Sequence, residues 1–176
     1  APSLSTNQYK DYQQKTILGI IFRVVLPVGQ YFPDRLINLG SNRFTIHGQV
    51  GISHKYENWL LEGYIGIAGF TSNPDFYGGN KLTQNPVFAT KLHLIRSLPK
   101  GKWLALNLGY ANGGKAYVNG QERESHISTF RLGGTFSIPL GLHHSIKAIG
   151  YSTIRMDKGS DYDFLAIAYQ YRWGGR

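Results

Sequence analysis

Alternation with a period of two, sustained over segments of about ten residues, is the feature that most restricts what this chain can fold into. In 164–173, Leu165, Ile167, Tyr169, Tyr171 and Trp173 take one set of positions, and Phe164, Ala166, Ala168, Gln170 and Arg172 take the other. A β-strand sends successive side chains to opposite faces, so this pattern writes one apolar and one polar face onto a strand. The pattern recurs. Phe130, Leu132, Gly134, Phe136 and Ile138 alternate with Thr129, Arg131, Gly133, Thr135 and Ser137. Phe44, Ile46, Val50 and Ile52 face away from Arg43, Thr45, His47, Gln49 and Ser53, and Leu104, Leu106, Leu108 and Tyr110 from Trp103, Ala105, Asn107 and Gly109.

Eight segments read as strands: Thr16–Val28, Arg43–His54, Trp59–Thr71, Val87–Leu98, Lys102–Ala111, His126–Leu140, His144–Arg155 and Phe164–Trp173. Several are long enough to cross a bilayer, which takes about 9–11 tilted residues. No run approaches the roughly 18 apolar residues of a membrane helix. The mean hydropathy is only −0.26 although 41% of residues are hydrophobic, as expected where polar and apolar positions alternate. The connections Gly29–Asn42, Ser72–Pro86 and Asn112–Ser125 are long. Lys55–Asn58, Pro99–Gly101 and Gly141–His143 are short, and Met156–Asp163 is intermediate. Long loops at one end and tight turns at the other are the pattern of outer-membrane barrels, and this registry puts both termini at the short-turn, periplasmic end.

The expected fold is therefore all-β: an antiparallel up-and-down transmembrane β-barrel of about eight strands, a single domain over 1–176 with a polar segment at 1–15. A soluble lipocalin-like barrel is the structural rival, with the apolar face turned inward. Periodicity does not decide which face points in. The aromatic strand ends (Trp59, Trp103, Tyr169, Tyr171, Trp173), the loop asymmetry and the glycine-rich strands favour the membrane orientation. There is no cysteine, hence no disulfide or thiolate metal site. The N-terminus is polar with no signal peptide, so a processed product or a fragment is expected, since such a barrel needs export. The net charge of +9 invites a nucleic-acid reading, but the basic residues are spread one or two per strand rather than grouped with stacking aromatics.

The run Leu26-Pro27-Val28-Gly29-Gln30-Tyr31 through Asp34-Arg35-Leu36-Ile37-Asn38-Leu39-Gly40-Ser41-Asn42-Arg43 resembles a signature of the "putative MetA-pathway of phenol degradation" family. Further matching stretches are Phe70-Thr71-Ser72-Asn73-Pro74-Asp75-Phe76-Tyr77-Gly78-Gly79, Gln84-Asn85-Pro86, Asn112-Gly113-Gly114-Lys115 with Asn119-Gly120, and Tyr169-Gln170-Tyr171-Arg172-Trp173-Gly174-Gly175. Members are usually longer, with a signal peptide and more sequence in front, and Phe44 stands where a Trp is expected. The resemblance implies a Gram-negative outer-membrane β-barrel, labelled a transporter and linked to the uptake of aromatic compounds.

The polar face is the place to look for function. It carries Arg23, Arg43, His47, Gln49, Glu62, Tyr64, Lys91, His93, Asn107, Arg131, Lys147, Tyr151, Arg155, Gln170 and Arg172, with Glu62 the lone carboxylate. Eight strands enclose little more room than their own side chains fill, and an unpaired buried ion costs several kcal/mol. So the lumen is wider and wet, or loop carboxylates such as Asp34, Asp75 or Glu124 fold in, or an anionic solute is the partner. A lysine and arginine lining suits an anion-preferring path. Tyr31, Phe76 and Tyr77, with Phe32 and Tyr117, sit on the long loops as either an entry site for an aromatic solute or loop packing.

No catalytic motif accompanies His47, His93, His143 or His144. No metal site or cofactor is expected, and Gly63-x-x-Gly66-x-x-Gly69 lies inside a strand rather than after a βα turn. The expected function is an outer-membrane channel or uptake protein for small aromatic or anionic solutes, with membrane lipid, lipopolysaccharide and the solute as partners. The alternatives are a closed structural or sensor barrel, and an outer-membrane hydrolase.

Overall fold

The computed structural model describes residues 15–158 and 161–173, with side chains undescribed over 155–158. Apart from Lys15, the polar N-terminal segment lies outside the described residues. Twelve strands follow in order: β1 (Thr16–Val25), β2 (Thr45–Tyr56), β3 (Trp59–Phe70), β4 (Asn73–Phe76), β5 (Asn80–Gln84), β6 (Val87–Ser97), β7 (Trp103–Gly113), β8 (Ala116–Val118), β9 (Gln121–Glu122), β10 (Ile127–Pro139), β11 (His144–Lys158) and β12 (Phe164–Tyr171). The eight long strands form one antiparallel sheet in the order β1-β2-β3-β6-β7-β10-β11-β12. These are the eight segments that alternation marks. Among the described residues β1 and β12 are not paired with each other, and no further strand lies on either edge of the sheet.

Three differences from the expected elements have local causes. β1 stops at Val25 because Pro27, two positions on, has no N–H to give a ladder. β2 begins at Thr45 rather than Arg43, after Asn42 takes a left-handed φ of 49°. The long connections expected over Ser72–Pro86 and Asn112–Ser125 are not irregular. They fold into a second sheet of order β4-β5-β8-β9 beyond the long-loop end of the first. Alternation could not announce strands of two to five residues.

The burial pattern is inverted relative to a water-soluble protein. Leu165 is 83% exposed, Ile20 81% and Ile65 71%, while the buried polar residues are Asn73, Asn107, Thr129 and Ser137, and the buried hydrophobic is Ala105. On β2, Ile46, Val50 and Ile52 are exposed and Thr45, His47, Gln49 and Ser53 are partly covered. The apolar face therefore points out and the polar face in, the opposite of a lipocalin. Leaving one Leu or Ile in water forgoes about 1.5–3 kcal/mol of burial, and an exposed apolar surface on this scale marks a face for contact with lipid or another protein.

Antiparallel register sets the inner face in transverse rows. One row runs Gly51–Tyr64–Lys91–Gly109–Arg131–Thr153 across β2, β3, β6, β7, β10 and β11. The next toward the short turns runs Ser53–Glu62–His93–Asn107–Gly133–Tyr151–Phe164. In these rows the edge of a tyrosine ring packs against glycine. An alanine Cβ at Gly51 would stand 2.5 Å from Cδ1 of Tyr64, and one at Gly133 would meet the Tyr151 ring. Each bare glycine receives the ring from the neighbouring strand.

Gly51→Ala should destabilise the folded state by about 1–3 kcal/mol through this overpacking. Tyr64→Ala in the same chain should recover much of the loss. Gly109→Ala, with no atom within 4 Å of its Cβ, should be close to neutral. Guanidinium unfolding in phospholipid vesicles measures all three, and equal losses at Gly51 and Gly109 would refute the ring-over-glycine account.

Candidate functional site

The middle of the inner face is a polar network built by register. His93 Nδ1 lies 2.7 Å from Asn107 Oδ1, and Asn107 Nδ2 donates to Thr135 Oγ1 at 3.2 Å. The Tyr64 hydroxyl donates to Glu62 Oε2 at 3.1 Å, and the Tyr64 and His93 rings meet edge-on at 5.7 Å. The polar chain thus crosses β3, β6, β7 and β10. Asn107 is 5% exposed and bridges two partners from two strands.

Two hollows adjoin this network. One of about 410 Å³ is lined by Lys91, His93, Asn107, Gly109, Arg131, Tyr151, Tyr162 and Phe164. Another of about 610 Å³ shares Lys91, Gly109, Arg131 and Tyr162, and extends toward the loops past Ala89, Ala111 and Thr129. Arg131 Nη1 donates to the Tyr162 hydroxyl at 2.8 Å, and its guanidinium lies 4.3 Å from the Tyr162 ring centroid. Tyr162 belongs to the β11–β12 connection, and no periodicity pointed to it.

The other expected lumen residues are distributed along the sheet. Arg23 and His47 are cross-strand neighbours near the loop end, and His47 Nδ1 is buried without a partner. Arg43 stands just outside β2, where Nη2 donates to Gln84 Oε1 at 2.6 Å and the guanidinium sits 4.6 Å over the Phe70 ring. Burial draws its pKa down from the usual range. Lys147 lies toward the short turns, its ammonium 5.6 Å over the Trp103 ring. Trp103 therefore belongs to the inner face, since its register partners are Ser97 and Ser137, and it is not part of an outer aromatic girdle. Tyr169, Tyr171 and Trp173 do lie on the outer, exposed side, grouped with His144.

Arg172 sits at the short-turn rim, donating from Nη2 to the Leu142 carbonyl at 3.3 Å. Arg155 pairs with Phe130 across a register shift in β10–β11, and its side chain lies outside the described residues. The expected lumen cations thus divide into a loop-end group, a central pair and a short-turn group.

The loop residues form a scaffold. Asn73, 1% exposed, donates to the Tyr31 hydroxyl at 2.8 Å and to the Ser41 carbonyl at 3.3 Å. Its Oδ1 accepts from Asn42 Nδ2 and the Asp75 N–H, both at 3.0 Å. Tyr31 in turn donates to the Asp75 carbonyl at 3.0 Å, so it ties two loops together. Phe76 is on β4 and half-covered, and Tyr77 is exposed. The Lys115–Glu122 ion pair, at 2.8 Å, lies in the second sheet and holds the Lys115 ammonium above its usual pKa. Asp34 and Asp75 are exposed. Among the described residues no three His, Cys, Asp or Glu gather as metal ligands.

Asn107→Leu, of similar size but without hydrogen-bonding capacity, strands His93 and Thr135. It should cost about 1–3 kcal/mol of stability, read by guanidinium unfolding in vesicles. Thr135→Val should cost less, because it leaves the His93–Asn107 contact in place. An Asn107→Leu protein as stable as the parent would show that the network carries no weight.

Comparison with known proteins agrees with this geometry. A solved structure described as the COG4313 outer membrane channel from Pseudomonas putida F1 superposes with a TM-score of 0.77 at 20% sequence identity, over 96% of this chain and 61% of that one. The likeness is one of fold, and this chain spans about 61% of the channel's length. No curated protein matches the sequence. The family model described as "Putative MetA-pathway of phenol degradation" matches residues 3–151. The chain belongs to that family.

Proposed function

We propose that the protein is an outer-membrane channel that carries small anionic or aromatic solutes through a basic lumen. The observation that carries the proposal is the inverted exposure: an apolar outer face around an inner face bearing Arg23, Lys91, Arg131 and Lys147 against Glu62, with Arg43 just beyond its loop end. Fixed cations along a water-filled path raise the local concentration of anions and repel cations. The channel title of the structural relative and the phenol-degradation title of the family support the same reading. In hydrocarbon an unpaired strand edge is untenable, so on this reading the sheet works as a closed wall, with the edges of β1 and β12 both paired in the membrane. Nothing in the proposal requires catalysis.

Single-channel recording of the refolded protein in a planar bilayer, with a salt gradient across it, tests the proposal. The expected result is a steady conductance with an anion-selective reversal potential, strongest at low salt because screening weakens the fixed charges. Lys91→Gln with Arg131→Gln should shift the reversal potential toward zero. Cation selectivity, or no conductance from a protein that is folded by heat-modifiability on gels, would overturn it.

A further inference from the structure

We infer that the row Lys91–Gly109–Arg131 is a saturable binding site for a monocyclic aromatic carboxylate. The inference deepens the channel reading and rests on it for access to the site, though its test does not depend on conduction.

The first observation is the floor. Of the inner-face glycines on the central strands, Gly51 and Gly133 are covered by tyrosine rings, and Gly66 lies against Gln49 and His47. Gly109 has nothing within 4 Å of its Cβ position. No neighbouring side chain needs this glycine to be small, so what it leaves is space.

The second observation is what flanks that space. Register places Lys91 on one side of Gly109 and Arg131 on the other. With strands about 4.8 Å apart, their Cα atoms stand roughly 10 Å from one another on the same face. A carboxylate over the glycine is within reach of both side chains. The ion pair found among the described residues is Lys115–Glu122, in the second sheet. Glu62, one row away, is engaged by the Tyr64 hydroxyl, and Asp161 and Asp163, on either side of Tyr162, are exposed. The Tyr162 hydroxyl accepts from Nη1 of Arg131 and Nε is enclosed, so Nη2 is the guanidinium donor left for a solute. Two like charges facing a common gap favour an anion between them.

The third observation selects the rest of the ligand. Of the two hollows that meet at Gly109, the one of about 410 Å³ is walled by Tyr151, Tyr162 and Phe164 beside His93, and the other, of about 610 Å³, leads from it toward the loops. That size and mixture suit a small ring with one charged group. The rings supply flat apolar contact for a planar body, and Lys91 and Arg131 supply charge-assisted hydrogen bonds to its carboxylate. A ligand with the charge and no ring forgoes the walls. A ligand with the ring and no charge leaves the two cations unanswered.

Calorimetric titration of the full chain in detergent with benzoate tests the site. Acetate and benzyl alcohol are the probes lacking one feature each. Benzoate should bind saturably, and acetate and benzyl alcohol at least about tenfold more weakly. Lys91→Gln, Arg131→Gln and Gly109→Leu should each weaken benzoate by about tenfold or more, and Lys115→Gln, in the second sheet, should not. If Gly109→Leu does not fold, Gly109→Ala with the two charge variants carries the test. Equal affinity for acetate and benzoate would reduce the site to an anion trap and overturn the aromatic part. Benzyl alcohol binding as well as benzoate, or benzoate binding indifferent to Lys91 and Arg131, would overturn the site itself. Conductance without saturable benzoate binding would sink this inference and leave the channel standing. Benzoate binding without conductance would do the reverse.

Discussion

The register of the large sheet is the constraint on which the rest of the molecule depends. Because side chains alternate strictly, a slip of one residue in any strand pair would exchange its faces, turning Ile46, Val50 and Ile52 onto the polar inner face and His47 and Gln49 onto the apolar surface. Two environments thus hold the register from opposite sides. Once it is held, residues distant in sequence become neighbours: Gly51, Tyr64, Lys91, Gly109 and Arg131 lie on five successive strands of the sheet and in one row. The central network and the open floor at Gly109 both follow from that alignment.

A protein with its apolar side chains outside has to cohere by other means. The described interior offers Ala105 as its buried hydrophobic residue, so apolar packing cannot be what joins the strands. Backbone ladders do that. Hydrogen-bonded side chains such as Asn107 add cross-strand ties, and tyrosine rings pack onto bare glycine of the neighbouring strand. Glycine has two opposite uses here. At Gly51 and Gly133 its small size admits a neighbour, and at Gly109 it admits none. Composition reports the same residue for both.

The strands were legible because period-two alternation survives any detail of tertiary structure, and all eight segments correspond to strands. Which face points inward was not legible from periodicity, since a lipocalin and a membrane barrel write the same pattern. The second sheet was hidden because strands as short as Gln121–Glu122 hold too few residues to show a period. The family-like stretches turn out to encode backbone shape: Asn42, Gly78, Gly79, Gly113, Gly114, Asn119 and Gly120 all take positive φ in the loop layer. Sequence assigns Lys91 and Arg131 to the polar face of their strands, but not to one another's company. That Lys91 and Arg131 flank one glycine depends on the pairing of three strands, and Tyr162 reaches Arg131 from a connection with no periodicity. Trp103 stands among the aromatic strand ends, but alternation already sets it with Ala105, Asn107 and Gly109 on the polar side, where the register keeps it.

The spacing of the cations bears on how such a lumen would pass an anion. Arg23 lies two rows toward the loops from the Lys91–Arg131 row, and Lys147 lies three rows toward the short turns. At about 6.6 Å of strand per row, those steps are roughly 13 and 20 Å along the strands. Both exceed the screening length of about 8 Å at physiological salt, so the groups act as successive stations rather than as one continuous well. Conduction needs sites strong enough to admit an ion and weak enough to release it. Concentrating all the inner-face cations in one row would make a trap. On the channel reading, dispersal along the axis keeps each step shallow, and the central pair, alone in having an open glycine floor and aromatic walls, is where discrimination between solutes would be exercised.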